Sequence, residues 1–308
     1  MVPSLLFILL VSCSKNIRNE VEVRDEPMFQ LENQLSELSK EVLGGEMTQS
    51  TRGFWSWIWN GVKKIGRTIG QDAVGFVDGF RNSNHHWTEL DCWRDATHSA
   101  VDASFDAWQE SSVRSTLTNE NIQGFELYKS PYQTRLSKQF KNPYNIYGVV
   151  HNEAFINTAI IANQKKLTIE EMRFHLHKEA AIALAKYNLA PKGYNDERIL
   201  DVIKWREEWK NKENNFTVLF RELYDEQKSL TTIDSQLANS SESEIRIMWQ
   251  YLKTLSDINE EDKMIYYANE FSEIISESNI SYEQKSQLLA FNAIATHSHA
   301  LWKDVIIE

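Results

Sequence analysis

Turn-forming residues are scarce in this chain. Only 11 glycines and 5 prolines occur in 308 residues, and six of the glycines lie between Gly53 and Gly79. Hairpins need Gly, Asn-Gly or Pro at their turns, so a chain this poor in them cannot make many short strands. Long helices joined by a few polar loops are what remain. The expected fold is all-α: an irregular multi-helix bundle with a Gly- and Trp-rich helical segment towards the N-terminus. Hydrophobic residues make up 42% of the chain and charged residues 25%. That is enough apolar material for a sizeable core and is incompatible with wholesale disorder. The net charge of −11 would repel a phosphate backbone, so nucleic acid is not an expected partner.

The N-terminus carries an apolar run, Leu5-Leu6-Phe7-Ile8-Leu9-Leu10-Val11, followed by Ser12-Cys13. The run is far short of the roughly 20 residues a transmembrane helix needs, but it suits the core of a signal peptide. Leu10-Val11-Ser12-Cys13 resembles the lipobox of bacterial lipoproteins. That resemblance implies cleavage before Cys13, diacylation of its thiol and attachment to a membrane by acyl chains. No Lys or Arg precedes the run, which departs from the usual signal. Residues 1–12 are then the signal peptide, and 13–27, polar and mixed in charge, the lipid anchor and tether. With Cys13 lipidated, Cys92 stands alone and no internal disulfide is expected.

An N-terminal helical region is expected over 28–140. Met28, Leu31, Leu35, Leu38 and Val42 recur every three or four residues, and Gly44-Gly45 provides a stop. This stretch also resembles the double-glycine leader of exported bacterial peptides. From Phe54 to Phe80 the residues Ile58, Val62, Ile65, Ile69, Ala73, Phe76 and Phe80 line one helical face. Gly66/Gly70 and Gly75/Gly79 have the small-xxx-small spacing of tight helix contacts. Trp55, Trp57 and Trp59 with Lys63, Lys64 and Arg67 form an aromatic and basic patch suited to a membrane interface. The competing expectation is a core helix pair packed on the main bundle. His85, His86, Asp91, Cys92 and His98 follow without C-x-x-C or H-E-x-x-H spacing, so no metal is expected.

The segment Asn142-Pro143-Tyr144-Asn145-Ile146-Tyr147-Gly148-Val149-Val150-His151-Asn152-Glu153 reads as a turn leading into a helix. Gly148 is expected to relax a second backbone angle, and His151-Asn152 to lie near the helix start. There the pair, with Glu153, could bind an anion or supply a general base. The bland alternative is a turn whose His and Asn satisfy buried backbone groups. The segment resembles a family of secreted or lipid-anchored bacterial proteins with an N-P-[YF]-x-x-x-G-x-x-H-N motif. Asn142, Pro143, Tyr144, Gly148, His151 and Asn152 match it. The final stretch, Ala295 to Trp302, resembles that family's last helix, in which a serine precedes an aromatic residue by about four positions. The resemblance implies an envelope location and no particular activity.

Residues 141–308 are expected to form a helical bundle. Thr168-x-x-Glu171, Ser241-x-x-Glu244 and Ser281-x-x-Gln284 are capping boxes, and each precedes a periodic apolar run. Further helices are expected over 196–212, 216–228 and 260–277. No P-loop, dinucleotide fingerprint or G-x-S-x-G is present, so no cofactor is expected. The reading that follows is a lipid-anchored cell-envelope protein, outside the cytoplasm, serving as a binding or scaffold module. Its partners would be the membrane, through the anchor, and a protein or small molecule not specified by the sequence. Two alternatives stand beside it: a membrane-active or antagonism protein acting through residues 54–80, and a hydrolase-like enzyme using His151.

Overall fold

The computed structural model describes residues 26–44, 63–113, 129–190, 195–210, 235 and 237–303. Cys13, Trp55, Trp57, Trp59 and the helix expected over 216–228 lie outside the described residues, as do the side chains of Lys63, Lys64 and Arg67. Every regular element among the described residues is an α-helix. In chain order these are α1 (Glu26–Val42), α2 (Lys63–Asn82), α3 (Leu90–Val113), α4 (Pro131–Gln139) and α5 (Asn145–Lys165), then α6 (Ile169–Lys186), α7 (Asp196–Lys210), α8 (Ser243–Asp257), α9 (Glu261–Glu277) and α10 (Tyr282–Trp302).

Local sequence explains several of the boundaries. The apolar stripe Met28, Leu31, Leu35, Leu38 and Val42 is the buried face of α1. Gly44 ends that helix at φ +72°, and its N–H donates to the Glu41 carbonyl at 3.0 Å. A left-handed turn of this kind costs glycine least. Thr168 with Glu171 and Ser281 with Gln284 form the expected reciprocal capping boxes of α6 and α10. The box expected at Ser241 does not form. α8 is preceded by Glu242, which makes no side-chain cap bond, and the Glu244 carboxylate instead accepts from Gln284 Nε2 at 2.9 Å. A partner on a neighbouring helix has taken the group the cap needed.

α10 is the axis of the fold. Every residue from Ser286 to Trp302 is buried, and α2, α4, α5, α8 and α9 all pack on it. α1 lies against α8 and α9, so residues before and after position 140 contribute to one hydrophobic core. A helix buried on every side usually carries apolar residues all round. α10 carries Asn292, Thr296, His297, Ser298 and His299 in its buried length, so its neighbours must supply hydrogen-bond partners.

Among the described helices the pairing of α2 with α3 is the most extensive, and it depends on Gly75 and Gly79. A Cβ on Gly75 would lie 2.5 Å from Ala103 Cβ and 2.8 Å from the Ser99 carbonyl oxygen; one on Gly79 would lie 2.5 Å from Ser99 Cβ. Residues 69–80 are accordingly interior, where the close helix pair expected from the glycine spacing is found. Gly75→Ala should destabilise the fold by about 1–3 kcal/mol, because a backbone carbonyl cannot move aside. That loss outweighs the gain of up to about 1 kcal/mol in helix propensity. Urea denaturation measures it, and a variant as stable as wild type would show the helices to be farther apart.

Candidate functional site: a buried aspartate–histidine knot

The N-P-Y segment is stitched to α9 and α10. Asn142 Nδ2 lies within hydrogen-bond reach of the Leu289 carbonyl (2.8 Å), Asn292 Oδ1 (2.8 Å) and Ser272 Oγ (3.1 Å). Its Oδ1 accepts from the Tyr144 N–H at 2.7 Å, which closes the turn expected at Asn142-Pro143. The Tyr144 hydroxyl pairs with Ser286 Oγ at 2.7 Å, and its ring stacks on Trp93 with centroids 4.5 Å apart.

Helix α5 then begins at Asn145, six residues earlier than the His151-Asn152 start expected from sequence. His151 is therefore interior to the helix, and the anion-binding N–H groups of a helix start are not beside it. Gly148 is helical too, since Gly44 is the only glycine with positive φ among the described residues. What position 148 requires is space: a Cβ there would lie 2.5 Å from His297 Cδ2 and 2.7 Å from the Ala293 carbonyl.

One turn on, His151 is completely buried and Asn152 nearly so. Asn152 Nδ2 donates to the His297 carbonyl at 2.8 Å, and its Oδ1 faces His151 Nδ1 at 3.1 Å. His297 Nε2 meets Asn145 Oδ1 at 2.6 Å. The far nitrogen of His151, Nε2, lies 3.4 Å from Asp72 Oδ2. Glu153 turns away and binds Lys186 Nζ at 2.9 Å and the Tyr187 hydroxyl at 2.8 Å. His151 and Glu153 are thus not brought together, as two positions along a helix differ by about 200° in direction.

Asp72, on α2, is the centre of the arrangement. Its Oδ1 accepts from Ser104 of α3, and its Oδ2 from Ser298 and, at 3.3 Å, from Trp302 Nε1, both on α10. Asp72 is 0% exposed. Burial pushes its carboxyl well above the usual range, against the lowering effect of Ser298 and Trp302. Burial also pushes His151 down to about 4, although its bond to Asn152 acts the other way. The proton positions follow from Asn152. Its amide nitrogen is committed to the His297 carbonyl, so its oxygen faces His151 Nδ1, which must then carry hydrogen. Nε2 is left as a lone pair, 3.4 Å from the protonated Asp72 and without a hydrogen bond to it. Both shifts agree with that neutral pair.

Chemically, these contacts hold four helices in register and expose no reactive group. Ser298 bonds the carboxyl and not an imidazole, so the nucleophile–base order of a serine hydrolase is absent from this cluster. Cys92 is also buried, its Sγ 3.5 Å from the Phe80 carbonyl. Burial raises its thiol to about 11, and Asp95, Glu89 and Glu283 add to the effect. It therefore stays protonated and unreactive at neutral pH.

Asp72 and Ser104 are the participants that sequence reasoning does not single out. Asp72 lies three residues after Ile69 and four before Phe76, on the apolar face of α2, and a carboxylate there is a signal of burial with partners. The serine-to-aromatic spacing of the last helix is Ser298 to Trp302, both on Asp72. The chain matches no protein-family model, no curated protein and no solved structure.

Two measurements check this assignment. Asp72→Asn should cost about 1–3 kcal/mol, because the amide oxygen still accepts on one side while its NH2, unlike an acid O–H, accepts from no donor. Asp72→Ala should cost at least about 3 kcal/mol by leaving Ser104, Ser298 and Trp302 without their acceptor. Equal losses for both would mean that Asp72 is ionised. Stability should also fall as pH drops below about 6.5, the unfolded histidine value. His98, His151, His297 and His299 are held neutral by burial, the last three at about 4, 3 and 4. Each gains its proton only on unfolding in that window, while the raised Asp72 acts in the opposite sense. Four against one leaves a net uptake of about three protons. A urea midpoint that is flat from pH 7 to pH 5 would contradict it.

Proposed function

We propose that the protein is a lipid-anchored component of the cell envelope, held by acyl chains on Cys13, and that its helical body is a binding or scaffold module. The observation that carries the second half is the sealing of the chemically capable side chains. His151, Asn152 and Cys92 are spent on internal contacts and are at most 4% exposed. Recognition then falls to the surface. One recess of about 290 Å³ lies between the Asn84–His85 loop and α7. A second of about 480 Å³ follows the seam between α1 and α9 and carries Glu37, Glu41, Glu270 and Glu277.

The anchor rests on the apolar run and Leu10-Val11-Ser12-Cys13, and the N-P-Y-x-x-x-G-x-x-H-N resemblance supports the same location. Among the described residues no helix is long and apolar enough to cross a membrane. A membrane-active role for residues 54–80 would fall to 54–68, because 69–80 are interior.

Acyl labelling and membrane fractionation of wild type against Cys13→Ala test the anchor. Both the label and membrane association should be lost in the variant. A variant that still pellets with membranes would place the attachment elsewhere and turn attention to residues 54–68. For the module, a folded His151→Gln protein should keep the cellular phenotype of wild type. Its loss with the fold intact would favour the His151 enzyme.

A further inference from the structure

The two flanks of α1 differ in electrostatic character. Toward α8, the Glu32 carboxylate accepts from Arg246 Nε and Nη2, each at 2.7 Å. Charges of this chain close that seam. Toward α9, a trough of about 480 Å³ follows the junction, and none of the described residues that line it is Lys, Arg or His. Glu37 and Glu41 stand on its α1 wall, and Glu270 and Glu277 on its α9 wall. The Tyr266 hydroxyl donates to Glu41 at 3.4 Å. Glu37, Glu270 and Glu277 make no ion pair or side-chain hydrogen bond among the described residues.

Two antiparallel helices make the walls. Ser39 Oγ meets the Tyr267 hydroxyl at 3.1 Å and Glu41 meets Tyr266, which sets the end of α1 beside the start of α9. Pro27 and Asn279 line the opposite end. Gln34, Glu37 and Glu41 lie on one stripe of α1, and Tyr266, Glu270 and Glu277 on one stripe of α9. From Pro27 to Glu41 the wall is about 21 Å long at 1.5 Å per residue. Between the walls the lining is apolar: Leu31 and Leu38 reach it from the core, and Ile274 is half-buried there. Tyr266, 44% exposed, adds an open aromatic ring.

This arrangement selects its occupant by charge and shape together. A metal ion needs several oxygens converging on one point, and no group of three or more His, Cys, Asp or Glu is so placed among the described residues. A small organic polycation would match the carboxylates but leave the apolar strip bare. A helix whose apolar stripe is flanked on both sides by Lys or Arg matches both. Its stripe meets Leu31, Leu38 and Ile274, and its flanks meet the two walls. Charge complementarity of this kind speeds encounter and rejects acidic partners. The field of both walls already converges on Tyr266. Desolvation first, then the charges of Glu270 and Glu41, push its hydroxyl above the ordinary tyrosine value.

We propose that the α1–α9 trough is the docking site for a basic amphipathic helix of a protein partner, about four turns long. The inference rests on the reading of the helical body as a binding module and names the class of partner it takes.

Fluorescence anisotropy tests it, with a labelled peptide of about 16 residues carrying Leu on one helical stripe and Lys on both flanks. The full chain, in detergent-free buffer, should bind this peptide. Glu37→Gln/Glu41→Gln/Glu270→Gln/Glu277→Gln should weaken binding by about tenfold or more, the sum of four modest surface pairs. Glu170→Gln/Glu197→Gln/Glu208→Gln/Glu283→Gln removes the same charge from other exposed positions and should leave binding unchanged. Equal weakening by the two variants would reduce the effect to net charge and overturn the proposal. Two further arms need only wild-type protein. A peptide of the same composition in scrambled order should bind at least about tenfold more weakly, and equal binding refutes a helix in the trough. Displacement of the peptide by equimolar spermine would assign the trough to a small cation instead. In cells the seam variant should lose the wild-type phenotype. A seam variant that keeps it overturns the trough alone, since His151→Gln tests the module reading separately.

Discussion

A carboxyl group with no access to water must find partners inside the protein, and Asp72 is such a group. An ionised carboxylate left alone in an apolar interior would be prohibitively unfavourable. Here a hydroxyl from α3, a hydroxyl and an indole from α10 and an imidazole from α5 surround it. None of α2, α3 and α10 can rotate independently without stranding a donor. A shift of one residue along a helix turns a side chain by about 100°, which would remove Ser298 or His151 from the carboxyl entirely. Apolar packing alone tolerates several near-equivalent arrangements, and this cluster selects one. The close approach at Gly75 and Gly79 belongs to the same constraint, because it brings Ser104 within reach of Asp72.

The interior is therefore divided by chemistry. Around α1, α8 and α9 the core is aliphatic and aromatic, with Tyr251 stacked on Tyr267 at 5.2 Å. Around α2, α3, α5, α6 and the second half of α10 it holds Asp, His, Ser, Thr and Asn in linked polar networks, in which Ser99 Oγ, His151 Nε2 and His299 Nδ1 make no hydrogen bond. Such networks contribute little when every member is paired and become costly when one is removed. The motif residues Asn142, Gly148, His151 and Asn152 stand where the polar half meets α10. Their contacts are architectural: a turn closed on α9 and α10, a place where a ring lies against bare backbone, and a histidine whose tautomer is set by its neighbour.

Much of this was legible in the chain. The scarcity of Gly and Pro led to helices, and the 3–4 spacing of Met28 to Val42 marked α1 down to its glycine stop. The Thr168 and Ser281 boxes located the starts of α6 and α10. The glycine steps in α2 anticipated its close contact. What was not legible depended on partners distant in sequence. Ser241-x-x-Glu244 has the form of a cap, but Gln284, 40 residues away, holds the glutamate. His151-Asn152 has the form of a helix start, because Asn is a good cap; the helix begins earlier since Asn142 anchors the turn on α10. Asp72 lies on the otherwise apolar face of α2, and the three helices that surround it come from distant parts of the chain. Local propensity reads elements well, whereas buried polar pairing is a property of the assembled structure.

The central position of α10 has a consequence for how the chain acquires its shape. α2, the partner most dependent on α10 for its buried carboxyl, lies more than 200 residues upstream of it. Contacts this distant in sequence form slowly, since a long loop must close before they contribute. Until residue 302 is available, α2, α4, α5, α8 and α9 lack their common surface and Asp72 lacks two of its donors. The local pairs α2–α3 and α5–α6 can form earlier, but the polar half of the core closes only when α10 docks, so the order of assembly runs from neighbouring helices inward to the axis.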